Sequence, residues 1–105
     1  MSIALYNKTK ILATIGPASN NIDTLKSLAN AGANVFRLNF SHGTHAQHAE
    51  VIKMIREIND KLTVKIGILQ DLQGPKIRVG EMENGGVQIV PGGKITITND
   101  SLVGN

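Results

Sequence analysis

From Lys10 to Leu72 the chain alternates short apolar runs with amphipathic stretches, and the links between them are only a few residues long. Residues 10–15 (KILATI) are a β-rich run stopped by the turn pair Gly16-Pro17. Asn20 or Asn21 can cap a helix carrying Ile22, Leu25, Leu28 and Ala29 on one face, and Gly32 supplies its stop. Residues 34–41 read as the next strand. Val51, Ile55, Ile58 and Leu62 then recur at helical spacing, while Gln47, Glu50, Lys53, Glu57 and Lys61 can stay wet. Residues 64–72 (VKIGILQDL) read as a third strand, apolar enough to be buried on at least one side. Strand, helix, strand, helix, strand with short links implies an α/β fold with right-handed parallel crossovers, in a doubly wound sheet or an α/β barrel.

After Gly74-Pro75 the pattern changes. KIRVGEM, GGVQIV and GKITITND alternate in the strand period and are separated by Asn-Gly-Gly and Pro-Gly-Gly, which predicts antiparallel hairpins. The chain is therefore expected to divide into residues 1–74 and 75–105. Neither part is expected to be complete. Three parallel strands cannot close a barrel, and about 30 residues of hairpin fall short of the roughly 40 below which domains need extra staples. A piece with open sheet edges and apolar helix faces is expected to self-associate.

Composition narrows the partners. Of 105 residues 41% are hydrophobic and only 3% aromatic, so a core must come from Ile, Leu, Val and Ala. The formal charge of +3 is spread along the chain without a basic patch, which argues against nucleic acid and membrane surfaces and leaves a small anion open. There is no cysteine for a disulfide or thiolate zinc site. MSIALYNKTKILATIGP lacks a signal-peptide layout and no apolar run is long enough to span a bilayer, so an unsecreted, cytoplasmic protein is expected.

The stretch VFRLNFSHG (35–43) indicates where chemistry would sit. Phe36, Leu38 and Phe40 share one strand face; Arg37, Asn39 and Ser41 share the other. In parallel α/β folds ligands gather at the carboxyl ends of strands. Here those ends are Thr14-Ile15-Gly16-Pro17, Asn39-Phe40-Ser41-His42 and Gln70-Asp71-Leu72-Gln73, with Arg37 one pleat deeper and Arg78 just beyond. Each residue also has a plain structural reading. Arg37 could serve a salt bridge, Asn39 and Ser41 turn chemistry, and Asp71 a cap. His45 and His48 are i, i+3 on the second helix, but with no third ligand nearby they read as surface residues. Spacing alone supports a polar, phosphate-friendly cleft and no more. No P-loop, dinucleotide or serine-triad motif is present.

Taken together, TKILATIGPAS, GANVFRLNFSHG and LQDLQGPKIRVG, in this order and spacing, resemble the amino-terminal part of the pyruvate kinase family over nearly the whole chain from about Thr9. The resemblance implies the start of a (β/α)8 TIM barrel, with residues 75–105 opening a mostly antiparallel β lid inserted after the third strand. It implies transfer of a phosphoryl group from phosphoenolpyruvate to ADP, giving pyruvate and ATP in glycolysis, by a homotetramer requiring Mg2+. The catalytic lysine and the Mg2+ carboxylates would lie outside this chain, so no catalytic residue is expected in it and it should be inactive alone. By resemblance Arg37 binds the substrate phosphate, and Asn39, Phe40, Ser41, His42 and Arg78 match nucleotide-binding positions. Asn39, Ser41 and Asp71 match a monovalent-cation site.

One departure concerns that cation. Where potassium-dependent members read Asp-Thr-Lys-Gly-Pro-Glu, this chain reads Asp71-Leu72-Gln73-Gly74-Pro75-Lys76. Leu72 replaces the usual Thr and offers no side-chain oxygen, and Lys76 brings a tethered ammonium that can stand in for a bound cation. The combination resembles the potassium-independent branch, which implies a requirement for Mg2+ without K+. Two other readings stand beside an enzyme piece: a naturally short, non-catalytic phosphate- or nucleotide-binding or subunit-interaction module, and another barrel enzyme handling phosphoenolpyruvate.

Overall fold

Three parallel strands, β1 (Leu12–Ile15), β2 (Val35–Asn39) and β3 (Gly67–Asp71), pair in the order β1-β2-β3 in a computed structural model that describes residues 7–105. Residues 1–6, the start of the segment read above as lacking a leader pattern, lie outside the described residues. Helix α1 (Ile22–Asn30) follows β1, and α2 (His45–Lys61) follows β2. The α/β reading of residues 10–72 therefore holds element for element, with β1 starting later than expected and β2 and β3 shorter at both ends. The chain divides at Gly74-Pro75 into two units, considered separately below.

Local chemistry explains each boundary. Asn21 caps α1 by accepting the Thr24 N–H at 2.9 Å, and Asp23 sits in the first turn, where the helix dipole favours an acid. Gly32, at φ 113°, turns the chain away from α1 in the left-handed region that glycine enters without strain. Asn34 stays outside β2 because its side chain accepts the Ile11 N–H at 2.8 Å. At the other end of β2 the Asn39 side chain accepts the Ser41 N–H at 3.0 Å and bends the chain out of the sheet. A reciprocal box opens α2: Thr44 Oγ1 accepts the Gln47 N–H at 3.2 Å, and Gln47 Oε1 accepts the Thr44 N–H at 2.9 Å.

The core lies on one side of the sheet. Phe36 and Leu38 of β2, Leu25 of α1 and Ile55 of α2 are fully buried, joined by Ile15, Ala33, Val51, Ile58 and Ile66. The opposite face is open, with Leu12 and Leu69 exposed beside Thr14. β2 thus separates two environments: even-numbered residues pack under the helices and odd-numbered ones stand on the open face.

The α2–β3 link is closed by one side chain. Asn59 Nδ2 donates to the Ile66 carbonyl at 2.9 Å and its Oδ1 accepts the Ile66 N–H at 2.8 Å, copying a strand pairing. Removing it leaves both Ile66 backbone groups without these partners at a partly buried position, so Asn59→Ala is expected to lower unfolding free energy by about 2 kcal/mol in urea titration.

The second unit, Pro75–Asn105, corrects one expectation. The antiparallel hairpins predicted from KIRVGEM, GGVQIV and GKITITND are not formed: no strand ladder occurs among its residues, and its only pairing is an isolated parallel bridge between Met82 and Gly104. A short 3-10 turn, Glu83–Gly85, lies at that bridge, with Asn84 at φ 52°. The reason is burial. Ile77 is 98% and Ile97 89% exposed, so the alternating segments have no second layer to cover their apolar sides, and hairpins without one are marginal in water.

Candidate functional site

Register places the polar residues of the three strands side by side. Thr14 of β1 is the partner of Arg37 in β2, and Asn39 of β2 is the partner of Asp71 in β3. Within one pleat these side chains share the open face at the carboxyl ends of the strands, where the loops into α1 and α2 begin.

Arg37 is the hub. Its Nε donates to Asp71 Oδ2 at 2.9 Å, Nη2 donates to the same oxygen to form an ion pair, and Nη1 donates to Thr14 Oγ1 at 3.2 Å. A guanidinium has five N–H groups. Three are engaged here, leaving two donors, one on each terminal nitrogen. The Arg37 side chain retains 29% of its exposure and Asp71 42%, so the cluster is reached by solvent. The pair contributes little to stability in that setting, but it holds the planar guanidinium in one orientation.

The turn after β2 is tied down in parallel. Phe40 N–H donates to the Asp71 carbonyl at 2.9 Å and His42 N–H to the Asn39 carbonyl at 3.2 Å, so Asn39, Phe40, Ser41 and His42 form one hydrogen-bonded bend beside β3. Among the sequence candidates, Arg37, Asn39, Phe40, Ser41, His42 and Asp71 therefore come together. Lys76 and Arg78 belong to the second unit, where both are exposed.

His48, half-buried at the surface, has partners that its helical spacing does not show. Its ring stacks on Phe40 with centroids 4.2 Å apart and planes 12° apart, and its Nε2 lies 2.7 Å from the His42 carbonyl oxygen. Sequence spacing pairs a helical residue with its own helix and does not reveal this partner. Thr14 was noted only as a strand-end hydroxyl, and its contact with Arg37 depends on register across 23 residues.

The donor set for a monovalent cation is thin. Asn39 and Asp71 offer side-chain oxygens on paired strand positions and Ser41 offers a hydroxyl two residues on, but one Asp71 oxygen already accepts from Arg37. Leu72, next in line, is 69% exposed and apolar. Among the described residues no three His, Asp or Glu side chains converge. A shallow hollow between α1 and α2, lined by Lys26, Asn30, Ile58, Lys61 and Leu62, lies at the carboxyl ends of the helices, away from the polar cluster.

Comparison with known proteins bears on this arrangement. Residues 6–105 match the family model described as pyruvate kinase, barrel domain. The chain is 54% identical over 97 residues to pyruvate kinase 2 of Synechocystis, covering 90% of this chain and 16% of that protein. It is 48% identical over 97 residues to the pyruvate kinase of Bacillus licheniformis, covering 92% of this chain and 17% of that protein. The crystal structure of Cryptosporidium parvum pyruvate kinase superposes with a TM-score of 0.65 at 44% identity, over 75% of this chain and 16% of that one. The chain thus spans about a sixth of the length of these relatives.

Proposed function

We infer the function from one premise: the chain belongs to the pyruvate kinase family. On that premise it supplies part of an enzyme that moves a phosphoryl group from phosphoenolpyruvate to ADP, giving pyruvate and ATP. Its three strands open a (β/α)8 barrel and residues 75–105 open the inserted lid. The whole protein is a cytoplasmic homotetramer.

The observation that supports this reading is the Arg37 fork. Phosphoryl transfer needs alignment and charge neutralisation more than covalent help. A guanidinium anchored by Asp71 and Thr14, with one free N–H on each terminal nitrogen, can grip two phosphate oxygens without reorganising. Asn39, Phe40, Ser41 and His42 match nucleotide-binding positions by resemblance, and so does Arg78 in residues 75–105. In the product of the natural gene that carries this sequence, ADP-dependent pyruvate release from phosphoenolpyruvate is the expected activity. Its absence from the folded full-length protein overturns the reading.

Mg2+ supplies charge neutralisation on the transferring phosphoryl group when bound, through ligands elsewhere in the protein. Potassium is dispensable in this reading. Leu72 offers it no side-chain oxygen, and the tethered Lys76 ammonium can stand in for a bound cation. Full activity is expected in K+-free buffer, and Lys76→Glu is expected to lower it at least about tenfold there, with K+ restoring most of the loss. A wild-type enzyme that stays silent until K+ is added overturns the substitution of one cation by the other.

A further inference from the structure

His48 faces the bend Asn39–His42 from the first turn of α2, and it grips that bend on both sides of Ser41: by its ring on Phe40 and by its Nε2 at the His42 carbonyl. A carbonyl oxygen only accepts, so Nε2 carries the proton and donates. Gly43 shows how close the approach is. It lies at φ 75°, and a Cβ built there would stand 3.1 Å from Gln47 Oε1 and 3.4 Å from His48 Nε2. The helix does not need His48 for its own start, because Thr44 and Gln47 already cap it. Both His48 contacts run to residues before the helix, so what they determine is the shape of the bend. The opposite side of the same bend is fixed by the Phe40 N–H at the Asp71 carbonyl.

We infer that His48 is a positioning residue for nucleotide recognition. It sets the conformation of Asn39–His42 through the Phe40 ring and the His42 carbonyl without touching the ligand. The inference rests on the reading of that segment as nucleotide-facing. Its signature is selective: affinity for ADP depends on the bend, whereas the substrate phosphate is gripped by Arg37, which is oriented by the Asp71 carboxylate and the Thr14 hydroxyl and makes no contact with His48.

The test uses the full-length product of the natural gene, with ADP and phosphoenolpyruvate varied separately. His48→Ala removes stack and hydrogen bond together and is expected to raise KM for ADP about tenfold, with KM for phosphoenolpyruvate within about twofold. His48→Gln, which can return an N–H near the Nε2 position, is expected to recover about half of that loss on a logarithmic scale, and His48→Phe, which keeps only the stack, less. An unchanged KM for ADP in His48→Ala overturns the inference. So does an equal rise in both KM values alongside a fall in Tm, the mark of a merely structural residue. If the alanine variant does not fold, the glutamine and phenylalanine variants decide by the same split. A folded wild type without phosphoenolpyruvate turnover defeats the functional reading and this inference with it, whereas an active wild type with an indifferent His48→Ala defeats this inference alone.

Discussion

Arg37→Met in the full-length protein is expected to lower kcat/KM for phosphoenolpyruvate by about a thousandfold, the scale seen when a fixed donor to a reacting anion is removed. The size follows from geometry. The two free N–H groups of Arg37 sit on separate nitrogens of one plane, and that plane is held on one edge by Asp71 and at a further nitrogen by Thr14. Arg37→Lys keeps the charge but replaces the fork with a point ammonium, so it is expected to recover only about tenfold of the loss. Stability separates this from unfolding. Because the Arg37 and Asp71 side chains are 29% and 42% exposed, breaking the pair is expected to cost less than about 1 kcal/mol, and Tm should barely move. Retention of more than about a tenth of wild-type kcat/KM in Arg37→Met would remove Arg37 from the substrate phosphate.

The neighbouring residue is expected to give the opposite result. Phe36 is fully buried under α1 and α2, one position from Arg37 and on the other face of β2. Phe36→Ala is expected to lower unfolding free energy by about 3–5 kcal/mol, because the lost ring contacts are compounded by a cavity that the sheet and helices cannot fully close. Against a total of roughly 5–15 kcal/mol for an ordinary domain, that is most of the stability. Phe36→Leu keeps most of the volume and should cost about 1.5 kcal/mol. Thermal or urea unfolding reads both. A loss below about 1 kcal/mol in Phe36→Ala would mean that the one-sided core is not what holds the sheet.

The alternation that separates these residues is local, and so it was legible in the sequence. Ile22, Leu25 and Leu28 on α1 and Val51, Ile55 and Ile58 on α2 recur at the helical period, and each strand shows its apolar run. Strand ends were harder, because they are decided by side chains competing for backbone groups, as Asn34 does with Ile11 and Asn39 with Ser41. The polar residues at the strand ends were also visible, but their partners were not. Arg37 meets Asp71 across 34 positions and Thr14 across 23, through register that no single segment encodes. The partners of His48 were hidden in a similar way, since Phe40 lies in the bend before α2 and not on the helix. The hairpins of residues 75–105 failed differently. Their alternation is real, but a period of two states a preference for pairing and does not supply the second layer that makes pairing favourable.

The pleat of β2 also constrains how this chain can change length. Deleting or inserting one residue between Val35 and Asn39 would exchange the faces of everything beyond it, sending a guanidinium or an amide under the helices and a phenyl ring or a leucine onto the open side. Both the interior and the anion grip would be lost in one event. A change of two residues preserves parity but shifts the register by which Thr14 meets Arg37 and Asn39 meets Asp71. Length variation within this strand is thus barred by two separate requirements, whereas the bends that follow Ile15 and Asp71 carry neither, and insertions are expected to accumulate there.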